Sequence, residues 1–301
     1  MNRTKRMNYR HALLVLISTL LISGATLAQD GEQDELKLAA LEALIAAPGD
    51  RALPIVLKVL DSDESLEFKE RALFILSQIN HPDARTRLLD LAFASDGPLR
   101  VEAIRMLGIS GDYDSLDRLR QQYGAADDDL KDSIVEAHLI AGHTEGVLAI
   151  AQTAQNPDDF ERAVNALGAM GAREELRALR ERSDMFESII NALAISGDVD
   201  TLLEMARDDS NVEQQLKAIE ALGIAGGGGE VLIDIYKNTD SDAVRESVRH
   251  GLLVSGHDNG VLDLYRAADD VAEKKELLQL LVMMGSDQAM EIIDAALTGE
   301  Q

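Results

Sequence analysis

The chain contains no cysteine and no tryptophan, and aromatic residues make up only 3% of its 301 residues. Without cysteine it forms no disulfide and has no thiolate for catalysis or metal binding, so its stability must come from its packed core alone. Hydrophobic residues nevertheless reach 46%, dominated by small and aliphatic side chains. This composition favours closely spaced helices packed on Ala, Leu and Ile.

Positive charge is also scarce, because 29 Lys and Arg face 54 Asp and Glu, which gives a formal net charge of −25. A protein that binds nucleic acid needs a basic face to neutralise phosphates. The charge balance therefore excludes nucleic acid as the expected partner.

Long apolar runs are absent except near the N-terminus, where residues 12–22 form a run shorter than the roughly 20 residues of a spanning helix. Small residues and "TLAQ" follow the run, and four basic side chains precede it: Arg3, Lys5, Arg6 and Arg10. The pattern predicts a secretory signal peptide over residues 1–28, cleaved after Ala28 or, as second choice, after Ala25. We therefore expect an exported, periplasmic protein with no stable membrane anchor after cleavage and a net charge of about −29.

A short apolar segment ending in glycine recurs along the chain. Its last glycines, separated by 26 to 31 residues, are Gly111, Gly142, Gly171, Gly197, Gly226, Gly256 and Gly285. Asn80 and Gly49 continue the series upstream. Glycine or asparagine at this place predicts a helix that ends in the left-handed conformation.

Each unit continues with a second helix, whose apolar residues stand five and eight positions after the glycine, and closes with an acidic turn. Two such short helices cannot bury their apolar faces alone, so neighbouring units must stack. We predict an all-α solenoid of about nine two-helix repeats over residues 35–301. Residues 29–34 are expected to form a short acidic, flexible segment after the signal peptide.

The repeated A-L-G-x-x-G-x-x-x-x-x-L unit resembles the short HEAT-like repeats, of about 30 residues, that are named after phycobilisome lyase. The resemblance covers residues 35–301 and implies a solenoid. It does not imply one function, because the same scaffold carries enzymes and pure binding modules. HEAT-like hydroxylases hold a metal pair with His-Glu dipeptides, and this chain contains none.

Histidine offers no obvious metal motif. His81, His143 and His257 each follow the turn glycine or its equivalent, where other units carry Asp, Ala or Ser, which favours a helix cap or an exposed turn. His138 and His143 stand close in sequence, but a spacing of five points them in different directions on a helix. No G-x-S-x-G elbow and no phosphate-binding Gly-Lys loop is present. We therefore expect no metal, no cofactor and no catalytic residue.

Six acidic turns precede first helices: 61–65, 125–129, 156–159, 207–211, 238–242 and 267–270. None matches the D-x-[DN]-x-[DN]-G pattern of a calcium loop. Asp, Asn and Ser at such places cap the free amides of the next helix, and the surplus of acid serves solubility.

Four arginines stand between Asn165 and Asp184, in a strongly acidic chain. Arg173, Arg177 and Arg180 share one flank of a second helix. Counted nine residues from the turn, with Gly227 taken as reference in the four-glycine turn, the position of Arg180 recurs as Arg120, Tyr236 and Tyr265. These six side chains are the predicted partner-binding residues, forming a groove for an acidic or C-terminal peptide. The alternative is that the arginines pair with Glu174, Glu181 and acids of adjacent units.

The sequence thus favours a non-catalytic scaffold that binds a protein or peptide along the concave face of the solenoid. The runner-up is an enzyme, or an enzyme-accessory module, acting on a small molecule in the groove. A pocket holding a carboxylate pair near Arg177 or Arg180 would favour the runner-up. A third possibility is an envelope spacer for which surface acidity alone matters.

Overall fold

The computed structural model describes residues 34–94, 97–180, 182, 185–226 and 228–298. The predicted signal peptide, residues 1–28, lies outside these residues, as do Glu181 and Gly227. The described chain consists of α-helices joined by short turns, two of which are single 3-10 turns. No helix in this part of the chain is long and apolar enough to span a membrane.

The chain divides into two compact units, one ending at Ser110 and one beginning at Gly111. The helices of the first unit are α1 (residues 34–42), α2 (Gly49–Leu60), α3 (Leu66–Gln78), α4 (Pro82–Phe93) and α5 (Arg100–Ser110). Helix α3 packs against α2, α4 and α5, and the buried side chains of Leu73 and Leu76 fill the contact.

The second unit contains two sets of helices that alternate along the chain. The first helices of its repeats are α7 (Asp128–Ala141), α9 (Pro157–Met170), α11 (Phe186–Ile195), α13 (Val212–Ile224), α15 (Asp242–Ser255) and α17 (Val271–Met283). The second helices are α6 (Tyr113–Arg120), α8 (Thr144–Thr153), α10 (Arg173–Ala178), α12 (Val199–Arg207), α14 (Gly228–Asn238), α16 (Asp258–Ala267) and α18 (Asp287–Thr298). Each first helix packs against the next first helix, and each also packs against second helices.

The contact between α13 and α15 is close because both helices present glycine there. A Cβ atom on Gly223 would lie 2.3 Å from the carbonyl oxygen of Gly251. The space that these missing side chains leave brings the two backbones together, and aliphatic side chains such as Leu222 and Leu252 are fully buried beside them.

The predicted turn geometry is confirmed at six repeats. Positive φ angles of 64° to 74° occur at Gly111, Gly142, Gly171, Gly197, Gly256 and Gly285. The prediction is wrong at the three remaining places: among the described residues, Gly49, Asn80 and Gly226 have no positive φ. Gly49 instead begins α2 after Pro48, and the helices before Asn80 and Gly226 end in the extended residues Ile79 and Ala225.

The predicted capping role of the acidic turns holds at every one of the six. A side-chain oxygen in each turn accepts a hydrogen bond from a backbone amide in the first turn of the following helix, and the capping residues are Ser65, Asp127, Asn156, Asn211, Ser241 and Asp270. Each cap satisfies an amide that would otherwise lack a partner, and is worth about 1 kcal/mol.

Both units are stacks of short helices with buried Leu, Ile and Ala between them. This confirms the predicted fold class, an all-α solenoid built from two-helix repeats. The prediction that one continuous array runs over residues 35–301 stays a prediction.

Candidate functional site

The predicted arginines lie on α10 and in the turn that follows it, and all three contact the next repeat. Arg177 donates from Nε and Nη2 to the carboxylate of Asp198, at 2.8 and 2.7 Å. Asp198 caps α12 and accepts a further hydrogen bond from the Thr201 hydroxyl at 2.8 Å. Although burial alone would raise the pKa of Asp198, the hydrogen bonds from Arg177 and Thr201 outweigh it and lower that pKa.

Arg173 and Arg180 make weaker contacts across the same junction. Arg173 donates to the backbone carbonyl of Ser196 at 3.0 Å, and Arg180 pairs with the exposed Glu204 at 3.2 Å. These contacts agree with the alternative prediction, in which the arginines pair with residues of neighbouring repeats. Glu181, named in that alternative, lies outside the described residues.

A surface pocket of about 440 Å³ opens beside these arginines, between the C-terminal ends of second helices and the N-terminal ends of first helices. Its lining residues are Arg177, Arg180, Phe186, Ile189, Met205, Asp208, Asn211 and Gln214. Asp208 is the one carboxylate among these described lining residues. The pocket therefore combines the apolar side chains of Phe186, Ile189 and Met205 with two guanidinium groups, and one of these, that of Arg177, is paired with Asp198.

The other three predicted site residues do not join Arg180 around this pocket. Arg120, on α6, pairs with Asp117 of the same helix at 3.1 Å. Tyr236 is buried, with 3% of its surface exposed, and burial raises the pKa of its hydroxyl. Tyr265 is partly exposed, with the Lys274 ammonium 6.0 Å from its ring centre. Residues at the same position of the repeat therefore have different environments.

Asp159, in one of the acidic turns, belongs to a buried ion network. It accepts hydrogen bonds from Lys131 and Asn156, pairs with Arg162 at 2.9 Å, and contacts the hydroxyl of Tyr123 at 3.4 Å. Burial alone would raise the pKa of Asp159, but the hydrogen bonds from Lys131 and Asn156 and the charges of Lys131 and Arg162 reverse this and lower that pKa. The network ties α9 to α7, so this acid is structural and not merely a source of solubility.

The histidine pair departs from the expectation that a spacing of five separates the two rings. Their centroids lie 5.2 Å apart with nearly parallel planes, and Tyr113 stacks on the outer face of His143 at 4.3 Å. The expectation was wrong because α7 ends at Gly142 in the left-handed conformation, which turns the chain back and brings His143 over His138. His143 is also buried, so it is not the exposed turn residue that its variable slot suggested. His81 does behave as a cap, since its Nδ1 accepts from the amide of Asp83.

His138 is fully buried near the end of α7, and its Nδ1 lies 2.8 Å from the carbonyl oxygen of Ile134. Because a carbonyl only accepts, Nδ1 carries the proton and Nε2 keeps a free lone pair. Burial lowers the pKa of His138 to about 4, so the ring is neutral at pH 7. Within the described part of the chain, Nε2 of His138 and Nδ1 of His143 are buried without a hydrogen-bond partner.

Apolar side chains form a second surface feature that recurs with the repeat. Two residues before the last glycine of the turn, the first helices carry exposed aliphatic or methionine side chains, with exposed fractions from 39% to 66%. We name these residues the apolar row: Ile140, Ile195, Ile224, Val254 and Met283. Helix α9, between the first two, has Ala169 at this position.

Shallow grooves lie between the first helices that carry the apolar row. One, of about 160 Å³, includes Ile190, Ile224 and Val254 in its lining. Another, of about 860 Å³ between α15, α17 and α18, includes Leu253, Val282 and Met283. Grooves lined by exposed apolar side chains are candidate sites of interaction with another protein.

An alignment of the repeats indicates both the buried histidine and the apolar row. His138 stands four residues before its turn glycine, where the other repeats of the second unit carry leucine, and the apolar row recurs at a fixed distance from the same glycine. Neither signal reveals which neighbours a side chain meets, so exposure and ring contact became evident only in the folded chain.

The family comparison agrees with this architecture. A family model described as HEAT repeats matches residues 53–138. Human deoxyhypusine hydroxylase in complex with glycerol is 18% identical, with 89% of this chain and 93% of that chain covered, at a TM-score of 0.29. An engineered protein is 19% identical, with 77% and 95% covered, at a TM-score of 0.23.

Similarities this weak carry no conclusion about activity. No curated protein sequence matches the chain. The match confirms the predicted resemblance to HEAT repeats over residues 53–138.

Proposed function

We propose that this protein is an exported, non-catalytic scaffold that binds a partner protein through the apolar row. The observation that carries the proposal is the recurrence of exposed apolar side chains at one position in five of the six first helices of the second unit. A folded chain has no packing reason to place isoleucine, valine or methionine in water at the same point of repeat after repeat. Burial of such side chains by a partner is favourable in proportion to the apolar area removed from water.

The chemistry of the surface constrains the partner. Packed helices lie roughly 8–10 Å apart, so the apolar row offers contacts at about that interval. The chain carries a net charge of −25, and acidic residues such as Glu187 and Glu220 border the grooves. We therefore expect a partner segment with regularly spaced apolar residues and a basic rim, since complementary charge raises the association rate.

The arginine surface remains a second candidate site for the same function. Arg180 is the most available of its residues, because its pair with Glu204 is exposed and such pairs contribute little. Phe186, Met205 and the amides of Asn211 and Gln214 would contact a bound peptide in the adjoining pocket. An acidic or C-terminal peptide is the ligand that this pocket would favour.

The enzymatic alternative requires a carboxylate pair near Arg177 or Arg180. Among the described residues that line the pocket, Asp208 is the single carboxylate, and it carries a lowered pKa because it accepts hydrogen bonds from Ser210. An ionised lone carboxylate does not supply the acid and base roles together. We therefore favour binding over catalysis.

The test is cross-linking and capture of partners from an envelope extract with three variants. The row variant replaces Ile195, Ile224 and Val254 with serine. Its control replaces Val212 and Val271, which are at least as exposed and lie at the opposite ends of first helices, with serine. The third variant is Arg180→Ala.

We expect the row variant to lose the partner that the wild-type protein and the other two variants capture, with an unchanged melting temperature. Loss only with Arg180→Ala would move the site to the arginine surface. Equal capture by all four proteins would contradict both sites.

A further inference from the structure

His138 occupies a core position that leucine fills in the other repeats of the second unit. Four residues before the turn glycine, the fully buried residues are Leu167, Leu193, Leu222, Leu252 and Leu281. His138 is buried to the same extent, but it leaves Nε2 without a hydrogen bond. Burying an unpaired polar atom costs free energy that leucine avoids. Packing alone therefore does not explain the imidazole.

The unpaired nitrogen belongs to a convergent set of donor atoms. One ligand atom from each of Asp117, His138 and His143 lies within 4.8 Å of the other two. The three residues come from α6, from the end of α7 and from the residue that precedes α8, so they join two consecutive repeats. Side-chain exposure is 44% for Asp117, which leaves the cluster open to solvent on that side.

Gly146, in the first turn of α8, leaves the space between the two nitrogens. A Cβ atom at this position would lie 2.6 Å from Nε2 of His138 and 2.9 Å from Nδ1 of His143. The missing side chain thus leaves a small volume that both unpaired nitrogens border.

The local sequence motif around His143 occurs a second time in the chain, and there the histidine packs against a glycine without a second histidine beside it. The segment G-H-x-x-G-V occurs at residues 142–147 and again at 256–261. In the second copy His257 also packs against the glycine three residues later, Gly260, but with Nε2, at 2.7 Å from the site of a Cβ atom, where His143 presents Nδ1. The residue four before Gly256 is Leu252, however, so this copy has one imidazole and no convergent pair.

We propose that Asp117, His138 and His143 bind one divalent transition-metal ion, and that Zn²⁺ is the ion this donor set fits best. Two imidazoles and one carboxylate are typical zinc ligands, whereas Ca²⁺ and Mg²⁺ prefer oxygen donors alone. The hydrogen bond from Nδ1 of His138 to Ile134 is the outer contact that orients a metal-binding histidine.

Binding requires a small closure of the cluster. Zinc–nitrogen bonds of about 2.0–2.1 Å place tetrahedral ligands about 3.3 Å apart, closer than the present limit of 4.8 Å. We assign this closure to Asp117, because its side chain is 44% exposed and a bound cation would replace its partly exposed partner Arg120. A bound ion would link α6 to α7 and α8, and a fourth position on the solvent side would hold water.

The experiment measures Zn²⁺ binding by calorimetry to the purified chain without a polyhistidine tag, in excess Mg²⁺ to occupy the acidic surface. We expect one ion per chain and a rise in melting temperature with Zn²⁺. His138→Leu restores the residue of the other repeats. We expect this variant to bind at least tenfold more weakly while its metal-free melting temperature stays equal or rises.

Two further variants keep the test decisive if His138→Leu misfolds. Asp117→Asn changes a half-exposed side chain and is expected to weaken binding at least tenfold, and His143→Asn likewise. His257→Asn, the matched control in the second G-H-x-x-G-V segment, is expected to bind Zn²⁺ like the wild type. Equal Zn²⁺ affinity in wild type, His138→Leu and Asp117→Asn would overturn the site, as would the absence of one-to-one binding above the Mg²⁺ background.

Discussion

Arg177 on α10 holds Asp198 at the start of α12 with two hydrogen bonds, so one carboxylate both caps a helix and joins two consecutive repeats. Arg177 is the sixth residue after the turn glycine of its repeat, and Asp198 is the first residue after the turn glycine of the next repeat. The same two positions hold Asp117 and His143 at another junction of the unit. A fixed repeat geometry therefore supplies a contact whose chemistry changes with the residues placed there.

This junction predicts different roles for two neighbouring arginines. We expect Arg177→Ala to lower the melting temperature, because Asp198 is buried and would lose its bidentate partner. Arg180→Ala removes an exposed pair and should change the free energy of unfolding by less than about 0.5 kcal/mol. Thermal and urea unfolding of both variants check this, and equal destabilisation would contradict the assignment.

The turn at Gly197 predicts a backbone cost for substitution. Gly197 has a φ angle of 71°, where a β-branched residue is strained. We expect Gly197→Val to lower the free energy of unfolding by about 1–2 kcal/mol. Gly226→Val is the matched control, since Gly226 ends a repeat turn without a positive φ and a Cβ atom there meets nothing within 4 Å. A similar loss in both variants would contradict the assignment of the cost to backbone strain at Gly197.

The Asp159 network predicts a pH dependence at the acid end. The pKa of Asp159 is lowered in the folded chain below the unfolded value of about 3.9, so its contribution is complete above that value. As the pH falls through the folded pKa, protonation of the carboxylate should remove this stability. The free energy of unfolding should be measured over about 3 pH units downward from about pH 6. We expect it to fall more steeply for the wild type than for Asp159→Asn.

The neighbouring Asp158→Asn is the control for that comparison. Asp158 is exposed beside Asp159 in the same acidic turn, so its replacement removes one charge without touching the network. We expect this variant to follow the wild-type pH profile. A profile like that of Asp159→Asn would show that net charge, rather than the buried network, sets the acid sensitivity.

The N-terminal pattern predicts export and cleavage. Expression in a bacterial host followed by N-terminal sequencing should give a mature chain that begins at Gln29, or at Thr26 as the second choice. Reversal of the basic n-region charges at Arg3, Lys5 and Arg6 should slow the processing. A full-length chain recovered from the cytoplasm would contradict the predicted compartment.

Much of the fold was predictable because its signals are local. A glycine that ends a helix in the left-handed conformation, and a Ser, Asn or Asp that caps the next, each act within a few residues. Their regular spacing therefore predicted the repeats and the caps. The misassigned turns at Asn80 and Gly226 show the limit, because the same position can also be closed by an extended residue such as Ile79 or Ala225.

The sequence by itself determined the repeat length, the helix ends and the aliphatic core, because backbone conformation and apolar periodicity are written into each unit. Only the tertiary structure decided that His143 stacks on His138, that Tyr236 is buried, and that Ile195 faces solvent. These outcomes depend on which helix packs on which and at what distance. Equivalent positions in a repeat share a backbone, but each side chain meets the neighbours that its own repeat and the next one provide.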